Sequence, residues 1–515
     1  MKNKKRMLSL ALGFTMLATA VLSGCSGGTN QSSEDNSSKE PTYGGSVVVG
    51  VQQDIDSLDP HKATAAGTKE ILFNIFEGLV KPDENGNLIN AVASDYTLSD
   101  DGLVYTFTIR DGIKFHNGNA VTVNDVKYSL ERASGLLDGT ALIGALKTLK
   151  SVEIVDDKTV KVTTSKASAE LIYSLTVAII PDGSGEQEAS QPIGTGPFKF
   201  VSYTPQQNIV LEKNADYWQN GLPYLDEVTF KIVTSSDTAL LELQGGSIDV
   251  YPYLTDSQKA EIQGTFNVKS ATSDVVQALF LNNAEAPFDN EKVRQAVNYA
   301  LDKDSINGFV SGGNGEIISS AMLPTLKNYY VDLNSTYGNT ANVEKAKQLL
   351  SEAGYPNGFD MTITVPSSYE FHMETAEVVV EQLKAVGINA KIDGIEWSSW
   401  LSDVYSGRKY QSTICGLTCD MTPSYLLNRF VSNASKNFIN FNSAKFDEIY
   451  AKTLTTTNQT DIDGYYKELQ KILCDEAGSA FIQACPLTIA INKKLDGYKF
   501  YPVYVQDMST VYFTK

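Results

Sequence analysis

The chain has 515 residues, 42% of them hydrophobic and 10% aromatic, enough to fill large cores and, by length, roughly two to four domains. Its formal net charge of −19 argues against nucleic acid or an anionic lipid surface as the ligand, since either would be held against a field of its own sign. With only five cysteines, no disulfide framework carries the fold.

Lys2, Lys4, Lys5 and Arg6 precede an apolar stretch from Met7 to Leu22, too short for a comfortable membrane span, and then Ser23-Gly24-Cys25. A positive start, an apolar middle and small residues at the end are the anatomy of a secretory signal. The segment resembles a bacterial lipoprotein signal, which implies that residues 1–24 are removed and that a diacylated Cys25 opens the mature chain. Ser26 to Glu40 contains no apolar residue, so residues 25–42 read as a lipidated cysteine and a flexible tether. Two acyl chains supply the double signal that stable anchoring needs. The body of the chain is expected on the outer face of the cell membrane or in a periplasm, held to the membrane by lipid alone and cut off from cytosolic ATP and NADH.

Strand-like alternation follows in Ser46 to Val51 and Val104 to Arg110, and Val152 to Thr164 reads as a hairpin turning at Asp156-Asp157-Lys158. Thr122 and Asp125 form a capping box for a helix through Ala133, with Val123, Val126, Leu130 and Ala133 on one face. The apolar run Leu171 to Ile180 suits a buried strand or core helix and stops at Pro181-Asp182-Gly183. Val293, Ala296, Val297, Ala300 and Leu301 mark another helix. Asn342 caps one carrying Val343, Ala346, Leu349, Leu350 and Ala353, stopped by Gly354 and Pro356. The next carries Ala376, Val379, Val380, Leu383 and Val386, ends at Gly387 and runs into a strand from Ile388 to Ile392. Strands alternating with helices predict an α/β class with mixed sheets.

Catalytic patterns are missing or accidental. The Gly-x-Ser-x-Gly match at Gly24 to Gly28 straddles the cleavage site, and the Ser-x-x-Lys at Ser406 to Lys409 lacks its companion motifs. There is no phosphate-cradling Gly-x-x-x-x-Gly-Lys-Ser/Thr and no His-Glu-x-x-His. His61, His116 and His372 are far apart and read as structural, and Cys415 with Cys419 has a zinc-compatible gap but no partner pair. No metal, no cofactor and no enzymatic activity are expected. Cys415, Cys419, Cys474 and Cys485 leave one or two disulfides open.

Several segments, in order, carry a family resemblance: Asp54-Ile55-Asp56-Ser57-Leu58-Asp59-Pro60-His61, Phe76-Glu77-Gly78-Leu79-Val80, Arg110 to Gly118, Asn124 to Ser129, Gly194-Thr195-Gly196-Pro197-Phe198, Asn214 to Trp218, Asn282-Asn283 with Pro287-Phe288-Asp289, Val293 to Ala296, Ala353 to Pro356, and Glu396-Trp397. Together they resemble the family 5 extracellular solute-binding proteins, the oligopeptide and dipeptide receptors of ABC importers, over nearly all of the mature chain. The resemblance implies a periplasmic-binding-protein type II fold with three domains, a hinge and an interdomain ligand cleft. Domain I takes residues 43–65, 190–281 and 487–515, domain II 66–189 and domain III 282–486, with hinge crossings near Phe280 to Asn283 and Pro486 to Ala490.

It also implies a monomer that captures small peptides and hands them to an ABC permease driven by ATPase subunits. Within Gly416-Leu417-Thr418-Cys419-Asp420, which looks like the family's ligand segment, Asp420 is expected to pair with the ligand's α-ammonium, with Leu417, Cys419, Trp397, Trp400 and Tyr425 around it. Dipeptide receptors of the family clamp the ligand carboxylate with an Arg where this chain has Pro366-Ser367-Ser368-Tyr369, which favours longer or chemically different ligands. A non-peptide solute such as an oligosaccharide, glutathione, an opine or a metal chelate is the alternative, and an extracellular hydrolase a more distant one.

Overall fold

In the computed structural model, residues 40–515 are described apart from 169, 263, 420 and 457. The signal 1–24, the lipidation site Cys25, the tether up to residue 39 and Asp420 lie outside the described residues. No helix among the described residues is long and apolar enough to cross a membrane.

The alternation in Ser46–Val51 does produce a strand, which turns Val47, Val49 and Val51 into one core and Val48 towards another. It belongs to an 11-stranded sheet whose main path runs Asn389–Ile395, Asp360–Pro366, Ser412–Thr418, Phe266–Leu281, Ala480–Asn492, Val250–Tyr251, Ser46–Val51, Glu227–Ile232, Asn208–Lys213 and Phe198–Thr204. Ser46–Val51 is parallel to both neighbours, and Asp360–Pro366 to both of its own, while the remaining pairs on this path are antiparallel. The chain is thus α/β with mixed sheets, as its pattern predicts.

A separate four-stranded antiparallel sheet, Ala93–Leu98, Val104–Ile109, Thr159–Thr164 and Leu149–Ile154, packs on the helix Val123–Ser134 around Phe107, Val126, Leu130 and Val160. The capping box is present: the Thr122 N–H donates to Asp125 Oδ2 at 2.7 Å, and Gly135 ends the helix with a φ of 86°. The later helices also form where expected, as Glu291–Ala300, Val343–Glu352 and Glu370–Lys384.

Leu171 to Ile180 departs from expectation. It is neither a strand nor a full helix but one helical turn, Leu171–Ser174, followed by irregular buried chain. Its backbone is satisfied by distant groups instead of a ladder. His61 Nε2–H donates to the Ala178 carbonyl at 2.8 Å, the Ser129 hydroxyl accepts from Ile180 N–H at 2.9 Å, and Ile179 N–H donates to the Glu77 carbonyl at 2.9 Å. Gly194 and Gly196 serve the close packing of one backbone on another. Neither lies in the left-handed region; a Cβ on Gly194 would stand 2.0 Å from the Ile75 carbonyl oxygen, so the turn needs glycine for close backbone approach.

The three histidines are interior groups, each pushed down to about 4 by burial. His61 Nδ1 accepts from Arg132 at 2.9 Å, and His372 Nδ1 accepts from Gln277 at 2.9 Å. Burial moves Glu70 the other way, up to about 8, and Glu188 up to about 7. Between pH 6.5 and 4 the rings are neutral in the fold and protonated once unfolded, so stability falls as pH falls. Between pH 4.5 and 7 to 8 the two carboxyls are protonated in the fold and ionised once unfolded, so stability falls as pH rises. The Glu170 and Glu476 carboxyls are raised by burial as well, so the two sets offset one another below pH 6.5, while above it the rings no longer contribute and the carboxyls lower stability as pH rises. The thermal midpoint is therefore expected to fall between pH 6.5 and 7. Scanning calorimetry checks this, and a midpoint rising steadily from pH 5 to 8 contradicts it.

Candidate functional site

Two strands, Phe266–Leu281 and Ala480–Asn492, thread both halves of the long sheet, and along them the core changes. Phe266 and Val268 pack with Ile248 and Tyr251, whereas Val276, Ala278 and Phe280 pack with Trp400, Phe438 and Phe481. The register slips between the two regions: Thr272 pairs with Pro486 and Val276 with Ala484, so one strand spends four residues where its partner spends two. The change of core falls at this slip, about Thr272 to Val276, and not near Phe280 to Asn283. Asn282 and Asn283 are instead tied within the second half, to the carbonyls of Tyr410 at 2.8 Å and Gly478 at 2.9 Å.

Ser412–Thr418 pairs antiparallel with this strand, Thr418 opposite Val275, which carries the next residue onto the slip. Cys419 N–H donates to the Asp274 carbonyl at 2.7 Å. Leu417 and Cys419 are buried in the same hydrophobic cluster as Trp400, whose Nε1–H donates to Thr413 Oγ1 at 2.9 Å. Trp397 is half-buried, stacks on Trp400 at 5.1 Å and meets Tyr369 edge-on at 5.2 Å. Tyr425 lies 5.4 Å from the Arg429 guanidinium and 5.5 Å from the Lys436 ammonium.

Three sets of contacts bridge the halves, and none was singled out by motif. Gln53 donates to the Tyr369 hydroxyl, and the Ser236 hydroxyl donates to Glu370 at 2.8 Å. Glu170 accepts from the Ser424 hydroxyl, from Ser424 N–H at 3.3 Å and from the Tyr466 hydroxyl at 2.7 Å. Deeper in, Tyr253 donates across both Glu70 oxygens at 2.6 Å, in a pocket shared with Tyr504 and Gln506.

At the slip lies a cavity of about 330 Å³, walled by the hairpin tip Glu84 to Gly86, Ala271 and Thr272, Thr325 to Lys327, Met421, and Phe500 to Pro502. It thus opens between segments that pack on different cores. A hollow of about 520 Å³ is lined by Tyr299 and residues of 335–344, all on one side of the junction.

No metal-ligating cluster is present among the described residues. Cys415, Cys419, Cys474 and Cys485 are buried free thiols, so neither of the bridges left open by sequence forms. Burial holds the Cys415, Cys474 and Cys485 thiols above their ordinary range, the opposite of what a nucleophilic thiolate requires. The arrangement provides a crevice with polar and aromatic walls, open to solvent at Glu84, Asn85, Thr325 and Lys327 and suited to holding a solute.

Residues 87–438 match the model of the bacterial extracellular solute-binding proteins, family 5 Middle. The glutathione-binding protein GsiB of Pectobacterium atrosepticum is 29% identical over 483 residues, 88% of this chain and 92% of that one. The periplasmic binding protein DppA of Helicobacter pylori, solved with the peptide STSA, superimposes with a TM-score of 0.80 at 26% identity over 92% of this chain and 99% of that one. The oligopeptide-binding protein AppA of Bacillus subtilis, solved with a nonapeptide, gives 0.78 at 26% identity, covering 92% and 100%. The chain belongs to the bacterial extracellular solute-binding proteins of family 5, extracytoplasmic receptors of ABC importers that bind and are not enzymes.

Proposed function

We propose that the chain captures extracellular oligopeptides in the crevice at the Thr272–Val276 slip and delivers them to a membrane permease by hinge closure. On this reading residues 282–486, with the Val276–Leu281 end of the threading strand that packs on them, form the moving domain III, and 43–65, 487–515 and the rest of 190–281 the domain I it closes upon. Ligand contacts made only in the closed state shift the open–closed equilibrium, and the permease reads the closed form. The observation that carries the reading is the cavity itself, whose walls come from segments packed on separate cores and joined by two threading strands. The peptide complexes of the Helicobacter and Bacillus neighbours support the ligand class. Cys25 tethers the receptor to the outer face of the membrane.

Asp420 pairs with the ligand's α-ammonium on this reading, and Trp397 and Tyr425 supply aromatic wall. Asp420→Asn keeps the side-chain shape and removes the charge. It is expected to weaken an oligopeptide by about tenfold or more, read by calorimetry; unchanged affinity removes the assignment. Glutathione is the second reading, favoured by the Pectobacterium relative. Mass spectrometry of whatever co-purifies with the protein separates the two.

A further inference from the structure

Lys81, Arg294, Lys303 and Arg429 are the lysines and arginines sealed in the interior among the described residues. Three of them are compensated by oxygen. Lys81 meets Glu77 at 2.7 Å, Lys303 meets the Ile318 carbonyl at 3.1 Å and the Ser319 hydroxyl at 2.9 Å, and Arg294 donates to the carbonyls of Ala477, Phe288 and Glu476 at 3.0, 2.9 and 2.9 Å. Arg429 is buried as deeply as Arg294, each 7% exposed, and is not compensated. Of the five N–H groups a guanidinium carries, one donates to the Tyr405 hydroxyl; Nε has no acceptor, and no carboxylate among the described residues forms an ion pair with Arg429. The Tyr405 and Tyr425 rings, 5.9 and 5.4 Å from the guanidinium, offset part of its charge, while Lys436, 5.5 Å from the Tyr425 ring, adds to it. The Cys415 thiol feels the guanidinium, yet burial keeps it protonated.

The same short stretch holds two more polar atoms with no hydrogen-bond partner, Asn428 Oδ1 and Ser432 Oγ, both shielded from solvent. Asn428 makes no side-chain hydrogen bond, so turning its amide over breaks nothing and presents N–H in place of oxygen. Ser432 is anchored through its main-chain N–H, which donates to Asp447 at 2.9 Å, and that carboxylate forms no ion pair with Arg429. A guanidinium N–H, a hydroxyl and an amide in the span 428–432 are thus donors without an acceptor, around a buried cation that is strongly unfavourable alone. What suits them is an anion, and a small one: Leu427, Phe430 and Phe438 pack this stretch into the core of its own half, and the orphaned atoms are closed to solvent and so to a peptide in the crevice. We propose that Asn428, Arg429 and Ser432 hold a monovalent anion of halide size, chloride in an extracytoplasmic medium, as the counter-charge of the buried guanidinium. The site is separate from the cavity at the slip, and its occupancy does not depend on which solute the crevice takes.

The test is the thermal midpoint of the full-length protein against rising sodium chloride, with sodium gluconate at equal ionic strength as the control for screening. Chloride is expected to raise the midpoint above that in gluconate by about 1–2 °C for each tenfold in concentration, the slope of single-site linkage in a protein of this size. Arg429→Met removes the donor and the buried charge together, and its midpoint is expected to be the same in chloride as in gluconate. Ser432→Ala keeps the guanidinium and is expected to need about tenfold more chloride for the same rise, which keeps the proposal open to refutation if Arg429→Met does not fold. Crystals grown in bromide give the position: one anomalous peak is expected within hydrogen-bonding reach of Arg429 Nε and Ser432 Oγ. Equal midpoints in chloride and gluconate for the unaltered protein, a chloride response that survives Arg429→Met, an unchanged chloride requirement in Ser432→Ala, or bromide found at surface positions alone overturns the proposal.

Discussion

Glu77→Ala is expected to lower the free energy of unfolding by about 3–5 kcal/mol, because it leaves a buried cation without its counter-charge. The Glu77 side chain is 1% exposed and lies 2.7 Å from the Lys81 ammonium, which is itself 10% exposed. Burial alone would push Lys81 down; Glu77, with Asp507 adding to it, holds the ammonium above its ordinary value. The remaining lone pairs of Glu77 are filled by Tyr217 at 2.8 Å, the Trp218 indole N–H at 2.8 Å and the Thr195 hydroxyl at 3.3 Å. Arg110 then covers the Trp218 ring at 4.0 Å. Equilibrium denaturation measures the loss. The double variant Glu77→Leu with Lys81→Met is expected to recover much of it, since an apolar pair of similar volume carries no desolvation penalty; a double variant as unstable as the single one contradicts the explanation.

This cluster explains why the ordered segments are so readable in the sequence. Phe76 to Val80, Arg110 to Gly118, Gly194 to Phe198 and Asn214 to Trp218 are distant along the chain, yet one carboxylate and its surroundings hold a residue of each. They are fixed by packing and hydrogen bonding. Local features were legible for the complementary reason: the Thr122 and Asp125 box and the Asn342 cap close within three residues, so sequence spacing is the whole of their geometry.

What depended on pairing across the chain was not legible. The slip at Thr272 to Val276 exists only against Pro486 and Ala484, and nothing in the alternation of Phe266 to Leu281 announces it. For the candidate site, the aromatic pair Trp397 and Trp400 could be named in advance, but not that one is half-exposed and the other sealed beneath it. Glu170, Tyr369 and Lys327 carry no motif or periodicity. Their surroundings come from segments more than a hundred residues away, or from the walls of a cavity that only the assembled fold forms.

Glu170→Ala is expected to raise the dissociation constant for ligand by about 30-fold or more without removing any ligand contact. Glu170 precedes the turn Leu171–Ser174, which packs in the core of the four-stranded sheet, whereas Ser424 opens the turn Pro423–Leu427 and Tyr466 lies in the helix Gln459–Asp475 across the crevice. Burial there pushes the Glu170 carboxyl above the usual carboxylate range, and the donors from Ser424 and Tyr466 draw it back. On the hinge-closure reading these bonds exist only when the crevice is shut, and in the open form water replaces them. Hydrogen bonds to a charged group contribute about 1.5–3 kcal/mol each, so a loss of about 2 kcal/mol in closure is a conservative expectation. Where the closed form is the minor state of the free receptor, that loss passes undiminished into the apparent affinity. Calorimetry gives the affinity, and small-angle scattering of the liganded variant is expected to show a larger fraction of open receptor than the unaltered protein. A variant that binds as tightly as the original would place Glu170 outside the closing equilibrium and leave the ligand's own contacts to hold the crevice shut.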